Sequence, residues 1–416
     1  MTSNVPRPLA APLSLRRAVD DDWPEIMALD ARSFALPAPL PDAEIEEFRG
    51  KVRETIVVRD EGSEGAPLVA VSLWHLLPLT VPGGTAVRTA GLSWVSVAAT
   101  HRRRGLLRAM MTEQFASWRR AEVPLAILTA SEGGIYERFG FGPACFAESV
   151  TVDPAAVSWR TPPESDSHVR YGTPEQIAAR IPKLHDRWAL TRPGAVGRPK
   201  TWWPSILADR GFRRNSQTTG LHYLLHEDGY AAYRLDARTN TATVEDFCAV
   251  TEQAHTDLWR VLTGLDLVGS VVAKIPVDDP LPWKLRNHRA VRSTGRTDEL
   301  WVSILDVAAA LELRSYDVNG AVVLDVADGW GKRGGRYLLR VADGRAEVRR
   351  EPSSSEMATV PQVKLDISVL SSLYCGGMSA REFAAAGRLS TYSEATVALL
   401  DALFSSRRAP FAGTYF

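Results

Sequence analysis

The stretch VSVAATHRRRGLLRAMM, residues 95–111, places three consecutive arginines and a glycine between an apolar run and a helix-like pattern. Apolar residues recur at helical spacing after Gly105, so the sequence predicts a helix from about Gly105 to Arg120 with one buried face. A helix that begins at a glycine turn points unpaired backbone N–H groups outward and carries about half a positive charge there. Because phosphate is a common ligand of such helix ends, we expect an anion site at this loop.

The charge of the arginine cluster is local and does not extend to the whole chain. The 416 residues contain 49 Lys and Arg against 49 Asp and Glu, with an isoelectric point of about 7.1. A nucleic-acid-binding protein is expected to carry a basic excess, so we expect no nucleic-acid partner. The spacing also differs from P-loop and dinucleotide fingerprints. A pyrophosphate joined to an amide-bearing arm, which could lie along the preceding strand, describes coenzyme A.

Cysteine and histidine usage gives little sign of disulfides or metals. Cys145, Cys248 and Cys375 are odd in number and far apart, which is typical of a reducing compartment. His222 and His226 form the one pair worth considering, but no Cys or third His is near in sequence, so we expect no metal. The first residues contain no signal-type apolar region, and the longest apolar stretch is too short to span a bilayer. We therefore expect a soluble, cytoplasmic protein without a membrane partner.

The pattern of elements predicts three units, at residues 1–150, 151–297 and 298–416. The first alternates strand and helix signals, as does the second. The second repeats the strand–helix–strand order of residues 89–130 but has no arginine-glycine loop. We interpret it as a second copy of the same α/β fold that has lost its phosphate site. The third unit, with local hairpins and late helices, is typical of an α+β sandwich.

The arginine loop resembles motif A of the GCN5-related N-acetyltransferases (GNATs), through Arg102, Gly105 and the strand before them. Leu107 departs from the small residue usual two places after the glycine. Together with ASEGGIYERFGFGPA at 130–144 and an aromatic C-terminus, the stretch 91–110 resembles the enhanced intracellular survival (Eis) acetyltransferases. The resemblance covers the full chain. It implies an N-terminal GNAT domain, a degenerate second GNAT domain and a C-terminal sterol-carrier-protein-like domain, all packed in a homohexamer.

The same resemblance implies acetyl-CoA as cosubstrate, with no metal, and assigns coenzyme contacts to the strand and the loop. The residues that would bind the pantetheine arm and the pyrophosphate are Val95, Ser96, Val97, Arg103, Arg104, Gly105, Leu106, Leu107 and Arg108. Ser131 and Glu132 map onto a further coenzyme contact. Helix capping is an alternative explanation for that pair.

Two residues are implied as the proton carriers of acetyl transfer. Tyr136 stands where the family has its general acid, and core packing is the alternative role for this side chain. The general base implied is the C-terminal carboxylate of Phe416, delivered from the third domain. An α-carboxylate is a weak base, with a reference pKa near 3.5, so it could accept a proton only once attack has acidified the nitrogen. Glu132 is the other acid beside the motif.

The acceptor implied by the resemblance is a multi-amine small molecule such as an aminoglycoside. Lysine side chains of proteins or peptides are an alternative, and a lipid carrier that uses the third domain is a non-enzymatic alternative. A cationic acceptor favours carboxylates and aromatic faces. The segment LPDAEIEEFRG at 40–50 and Trp94 are candidates, although surface solvation explains those acids equally well.

Overall fold

The computed structural model describes residues 9–35, 54–162, 168–211 and 217–416, which form two β-sheets with helices packed on them. The strands of the 12-stranded sheet are β1 (Leu13–Arg17), β2 (Thr55–Asp60), β3 (Leu68–Thr80), β4 (Ala86–Val97), β5 (Leu125–Leu128), β6 (Phe141–Val152), β7 (Arg170–Tyr171), β8 (His222–His226), β9 (Gly229–Asp236), β10 (Thr241–Ala249), β11 (Ser270–Pro276) and β12 (Val291–Ile304). The strands of the five-stranded sheet are β13 (Gly320–Ala327), β14 (Gly335–Ala342), β15 (Arg345–Arg350), β16 (Gln362–Asp366) and β17 (Leu389–Thr391).

Eleven α-helices lie within the described residues. They are α1 (Trp23–Phe34), α2 (Leu106–Arg120), α3 (Pro174–Ala189), α4 (Trp203–Leu207), α5 (Glu252–Thr263), α6 (Leu281–Lys284), α7 (Val307–Leu313), α8 (Ser354–Thr359), α9 (Ile367–Leu373), α10 (Ala380–Ala385) and α11 (Glu394–Phe404). Helix α2 confirms the prediction made from the arginine loop. Thr173 and Gln176 have the spacing of a capping box, and helix α3 begins with one: each side chain accepts a hydrogen bond from the backbone N–H of the other residue. Within the described ranges, no helix is both long and apolar enough to cross a membrane.

The large sheet is built from two similar halves with a central exchange of strands. Its order is β1-β2-β3-β4-β5-β12-β6-β11-β10-β9-β8-β7. In each half a parallel pair, β4–β5 or β10–β11, is joined through a helix, α2 or α5. Strand β6 follows the first half in sequence but pairs with β11 of the second, while β12 follows the second half and pairs with β5 of the first. The predicted boundaries at 150 and 297 therefore fall inside β6 and β12, and they stay predictions.

The third unit shares its hydrophobic core with the large sheet. One cluster of buried side chains contains Leu77 and Leu125 of the large sheet together with Leu339 and Leu403 of the third unit. Helix α9 packs directly on β6, where a Cβ built on Gly142 would lie 2.1 Å from Ser372 Oγ. Any side chain at that position would force the helix away from the strand.

A loop of the third unit also supports the turn that carries Tyr136. The buried Arg333 donates from Nη2 to the carbonyl oxygen of Phe139 at 3.0 Å. The Trp330 ring meets the Phe139 ring edge-on at 4.7 Å, and the guanidinium of Arg108 lies 5.2 Å from the Trp330 ring centroid. The third unit therefore helps to fix both the Tyr136 turn and the first turn of α2.

Candidate active site

A gap opens between β4 and β5 at the point where the sequence predicts the coenzyme strand. The two strands pair in parallel only at Thr89–Gly91 against Leu125–Ile127. Strand β4 then continues to Val97 against β3, while Leu128 pairs with β12. At Val95–Val97, no described strand pairs with the edge of β4 that faces β5, so this edge can bind an extended amide-bearing ligand. The predicted contacts Val95, Ser96 and Val97 lie on this segment.

A β-bulge at Trp94 bends β4 beside the gap. The register with β3 shifts between Ser93 and Ser96, and Trp94 itself adopts a left-handed conformation with φ of +53°. Such a conformation costs a non-glycine residue on the order of 1–3 kcal/mol and is typical of functional sites. The Trp94 ring packs edge-on against Trp23 at 6.0 Å. Trp94, a predicted acceptor contact, lines the cavity described below.

The arginine loop forms the start of α2 as expected. Gly105 is the N-cap residue, with φ of +84° and no side-chain hydrogen bond to the open N–H groups of the first turn. Arg103, Arg104 and Arg108 are exposed beside it, while Leu106 is buried and Leu107 is half-buried. A Cβ built on Gly105 would meet no atom within 4 Å. Glycine is therefore favoured here by backbone conformation, and close approach to a phosphate is a separate, additional reason.

Ser131 and Glu132 lie in an exposed turn after β5. The first helical residues after this turn are Glu137–Phe139, and their N-cap is Tyr136. Helix capping, the alternative weighed for Ser131 and Glu132, is therefore not what the structure contains. Ser131 lines the same cavity as Trp94.

Tyr136 is buried, with only 7% of its surface exposed, and its ring packs edge-on against Phe141 at 6.1 Å. Among the residues that the structure describes, none forms a hydrogen bond with its hydroxyl group. Burial, with a smaller contribution from the charge of Glu132, raises the pKa of Tyr136 to about 12. The phenol, which is protonated at pH 7 as any tyrosine is, therefore stays protonated to a higher pH than usual.

Phe416 reaches the point where β4 and β5 separate. Its ring atom Cε2 would lie 3.0 Å from a Cβ built on Gly91, the last residue of β4 that pairs with β5. Leu77 would lie even closer to that Cβ. Gly91 thus leaves the space in which the Phe416 ring sits. Phe416 and Tyr136 line the same cavity.

That cavity has a volume of about 1310 Å³ and extends between the first and second halves of the large sheet. Several carboxylates line it. They are Asp30, Asp209, Glu245, Asp246, Glu252, Asp279, Asp298 and Glu299. Several of them already have partners: Asp246 is paired with the buried Arg198, Asp279 with His255, Asp209 with Arg234 and Glu252 with Lys284. Arg192, Lys274 and Arg408 line the cavity too. The predicted acidic segment at 40–50 lies outside the described residues.

Asp30, on α1, is a buried carboxylate that lines the cavity. It accepts a hydrogen bond from Ser96 Oγ at 3.1 Å, and burial raises the pKa of Asp30 to about 6. Sequence reasoning missed this residue, although a signal was present. Asp30 follows Trp23, Ile26 and Met27 at helical spacing, so a carboxylate stands on the buried face of α1. Among the described residues, no group of His, Cys, Asp and Glu could hold a metal ion.

Family models match three consecutive parts of the chain. Residues 14–144 match an acetyltransferase (GNAT) domain, residues 194–305 match another acetyltransferase (GNAT) domain, and residues 307–413 match a sterol carrier protein domain. These matches confirm the predicted fold class, an α/β arrangement of two GNAT domains followed by a sterol-carrier-like domain.

Proteins that match nearly the whole chain are also N-acetyltransferases. N-acetyltransferase Eis of Mycobacterium tuberculosis is 38% identical over 403 residues, which covers 95% of this chain and 97% of that protein. An N-acetyltransferase of Streptomyces coelicolor is 31% identical over 96% of this chain and 98% of its own length. The crystal structure of Eis1 from Mycobacterium abscessus superposes with a TM-score of 0.83 at 29% identity, covering 97% of this chain and 100% of that one. The chain therefore belongs to the Eis family of GCN5-related N-acetyltransferases.

Proposed function

We propose that this N-acetyltransferase moves the acetyl group of acetyl-CoA to amines of multi-amine small molecules such as aminoglycosides. The observation that supports this most is the cavity of about 1310 Å³, which is lined by carboxylates and reaches both Tyr136 and Phe416. GNAT enzymes use acetyl-CoA, and an amine is the acceptor. The width of this cavity suits a bulky molecule, and the carboxylates in its lining can attract a molecule that carries several positive charges.

The coenzyme would lie in the gap between β4 and β5. Its pantetheine amides would bond the open edge of β4 at Val95, Ser96 and Val97, and its pyrophosphate would meet the N–H groups and arginines of the loop from Arg103 to Arg108. Ser131 and Glu132 would make the further contact. The gap, the uncapped helix start and the exposed arginines support this placement.

Acetyl transfer then requires two proton movements. The amine nitrogen attacks the thioester carbonyl carbon, and this attack makes the nitrogen acidic enough to give its proton to the C-terminal carboxylate of Phe416, directly or through water. The C–S bond breaks, and the departing sulfur takes the proton of the Tyr136 hydroxyl. The neutral phenol and the approach of Phe416 to Gly91 support these two roles.

Free-thiol release from acetyl-CoA, measured with a panel of amines, tests the acceptor class. We expect tobramycin and kanamycin to support faster release than lysine-containing peptides, with one or more acetyl groups counted by mass on each product. Faster turnover of peptides would favour the alternative, a protein lysine acetyltransferase. The carrier alternative is set aside because the chain belongs to an enzyme family. The homohexamer stays a prediction.

Changing Gly105 should weaken acetyl-CoA binding through charge. We expect Gly105→Asp to lower the affinity about tenfold to a hundredfold, because a carboxylate would face the pyrophosphate at the start of α2. Gly105→Asn is the matched control, since asparagine tolerates the left-handed conformation equally well but is neutral. Calorimetric titration with acetyl-CoA measures both. Equal affinities of the Asp and Asn variants for acetyl-CoA would show that this loop does not bind the pyrophosphate.

Acceptor binding should weaken as the pH falls through about 6. The Asp30 carboxyl has its pKa raised to about 6 by burial, so it is charged above that pH and neutral below it. If the charged form attracts the cationic acceptor, tobramycin affinity should drop about tenfold between pH 7 and pH 5. The Asp30→Asn variant should bind tobramycin weakly at both pH 7 and pH 5. Any pH dependence that remains in this variant comes from titration of tobramycin itself. Calorimetry without acetyl-CoA measures this, and an equal pH dependence in both proteins would exclude Asp30.

A further inference from the structure

The last eight residues, 409–416, are held mainly by a loop of the second GNAT domain, residues 192–198. Two backbone hydrogen bonds join them to this loop, from Phe411 N to Pro193 O at 3.0 Å and from Val196 N to Ala412 O at 3.1 Å. In addition, the Glu299 side chain on β12 accepts at Oε2 from Ala412 N at 2.9 Å. The path of the chain end is therefore determined by the domain that has lost the arginine-glycine loop.

Arg198 donates hydrogen bonds to two consecutive residues near the chain end. Its Nη2 donates to the carbonyl oxygen of Gly413 at 2.8 Å, and its Nε donates to Thr414 Oγ1 at 3.2 Å. Thr414 Oγ1 in turn donates to the carbonyl oxygen of Val196 at 2.8 Å. The remaining side of the guanidinium is bound by Asp246 through Nη1 at 2.5 Å. Arg198 is thus oriented by Asp246 and grips two consecutive residues of the tail.

The C-terminal segment bends at Gly413, where Arg198 binds it. Gly413 has φ of +61°, and a Cβ there would lie 2.2 Å from a ring carbon of Trp188, so a side chain is excluded. Thr414 is buried, and its hydroxyl oxygen also lies 3.3 Å from His185 Nε2. Phe416 follows two residues later, at the end of the β4–β5 gap. A displacement at Thr414 would therefore be passed directly to the terminal carboxylate.

The ion pair of Arg198 and Asp246 lies where the second domain would otherwise bind a coenzyme. Strands β10 and β11 pair in parallel only at Thr241–Thr243 against Ser270–Val272 and then separate, as β4 and β5 do. A register shift between Val244 and Asp246 marks a bulge in β10, as at Trp94 in β4. A buried ion pair usually adds little net stability, so a geometric role accounts better for Arg198 and Asp246 in this place.

We propose that Arg198 and Thr414 are positioning residues for acetyl transfer, which hold the chain end so that the Phe416 carboxylate faces the reacting amine. Asp246 orients Arg198, and none of the three exchanges a proton with the substrate. The second domain thereby uses the opening of a coenzyme site to bind the chain terminus. This inference rests on the proposed function, specifically on the terminal carboxylate as proton acceptor.

The test compares Thr414→Val with Thr414→Ser. Valine keeps the shape of threonine but cannot bond Arg198 or Val196, whereas serine keeps the hydroxyl group. We expect Thr414→Val to lower kcat for tobramycin acetylation about tenfold to a hundredfold, since a displacement of about 1 Å can cost that much. Acetyl-CoA affinity should be unchanged by calorimetry, and Thr414→Ser should recover most of the rate.

The same variants are then made in a protein extended by Gly-Ser after Phe416, whose carboxylate has become an amide. In that background, Thr414→Val should change the remaining rate less than twofold, because the group that it positions is already absent. An equal fold-loss in both backgrounds would overturn the positioning role. A fully active Thr414→Val beside an inactive extended protein would overturn it too, while leaving the terminal base intact. If the extended protein is fully active, the proposed base is wrong, and the inference falls with it.

Should Thr414→Val melt too low to assay, Arg198→Lys replaces it. Lysine keeps the charge beside Asp246 but cannot reach both Gly413 and Thr414 with one planar group. We expect the same loss of kcat and the same lack of effect in the extended background. Wild-type kcat in Arg198→Lys would overturn the proposal.

Discussion

We expect the Tyr136→Phe variant to fold and to bind acetyl-CoA normally, but to transfer acetyl groups about 10²–10⁴ times more slowly, the usual contribution of a general acid. The hydroxyl group has no hydrogen bond to the described residues, and the edge-on packing of the ring on Phe141 is retained. Removing the oxygen therefore costs little stability. Steady-state kinetics with tobramycin and a thermal melt of the same sample measure the two effects.

Tyr316→Phe is the matched control for that variant. Tyr316 is also buried, but it lies in the third domain, and its hydroxyl group donates to the carbonyl oxygen of Leu311 at 2.8 Å. Losing this hydrogen bond should lower the free energy of unfolding by about 1 kcal/mol and leave the rate unchanged. Full activity in Tyr136→Phe would show that the thiolate leaves unassisted or that another group protonates it.

The pKa of about 12 for Tyr136 has a consequence at alkaline pH. The phenol is still protonated near pH 10, so the proposed acid remains available throughout the range in which more of the acceptor amine becomes neutral. The wild-type rate should therefore not decline between about pH 8 and pH 10 through loss of this acid.

Local structure could be predicted from the sequence wherever one element carries its own signal. Helix α2 was expected from its apolar spacing, and the structure confirms it. The capping-box residues Thr173 and Gln176 and the Asp228-Gly229 turn between β8 and β9 are local signals of the same kind. The gap between β4 and β5 also lies where the apolar run meets the arginine loop. Local hydrogen bonding and a single buried face determine these features, and both depend on residues that are close together in the sequence.

Pairing between distant strands could not be predicted in this way. The apolar patterns of β6 and β12 indicate strands, but nothing in those patterns says that each crosses to the opposite half of the sheet. The boundaries predicted at 150 and 297 consequently cut through both strands. Arg198 was missed for a similar reason, because it stands in an irregular loop and its partners, Asp246 and Gly413, are distant in sequence.

The second large effect concerns the end of the chain. If the Phe416 carboxylate accepts the amine proton, adding Gly-Ser after Phe416 should reduce acetyl transfer at least a hundredfold. The extension turns the acid into a neutral amide and adds atoms at the carboxyl end of Phe416, a residue whose ring is already packed beside Gly91. The same dipeptide at the N-terminus is the matched control, since it leaves the chain end unaltered. Melting temperatures of the two proteins should agree within a few degrees.

The decisive measurement is the rate of free-thiol release from acetyl-CoA with tobramycin as acceptor, compared between these two extended proteins. It tests whether the Phe416 carboxylate is the proton acceptor. We predict that the N-terminally extended protein keeps the wild-type rate, while the C-terminally extended one loses at least a hundredfold with little change in acetyl-CoA affinity. Equal rates would contradict the terminal-carboxylate mechanism and leave Glu132 as the base to test.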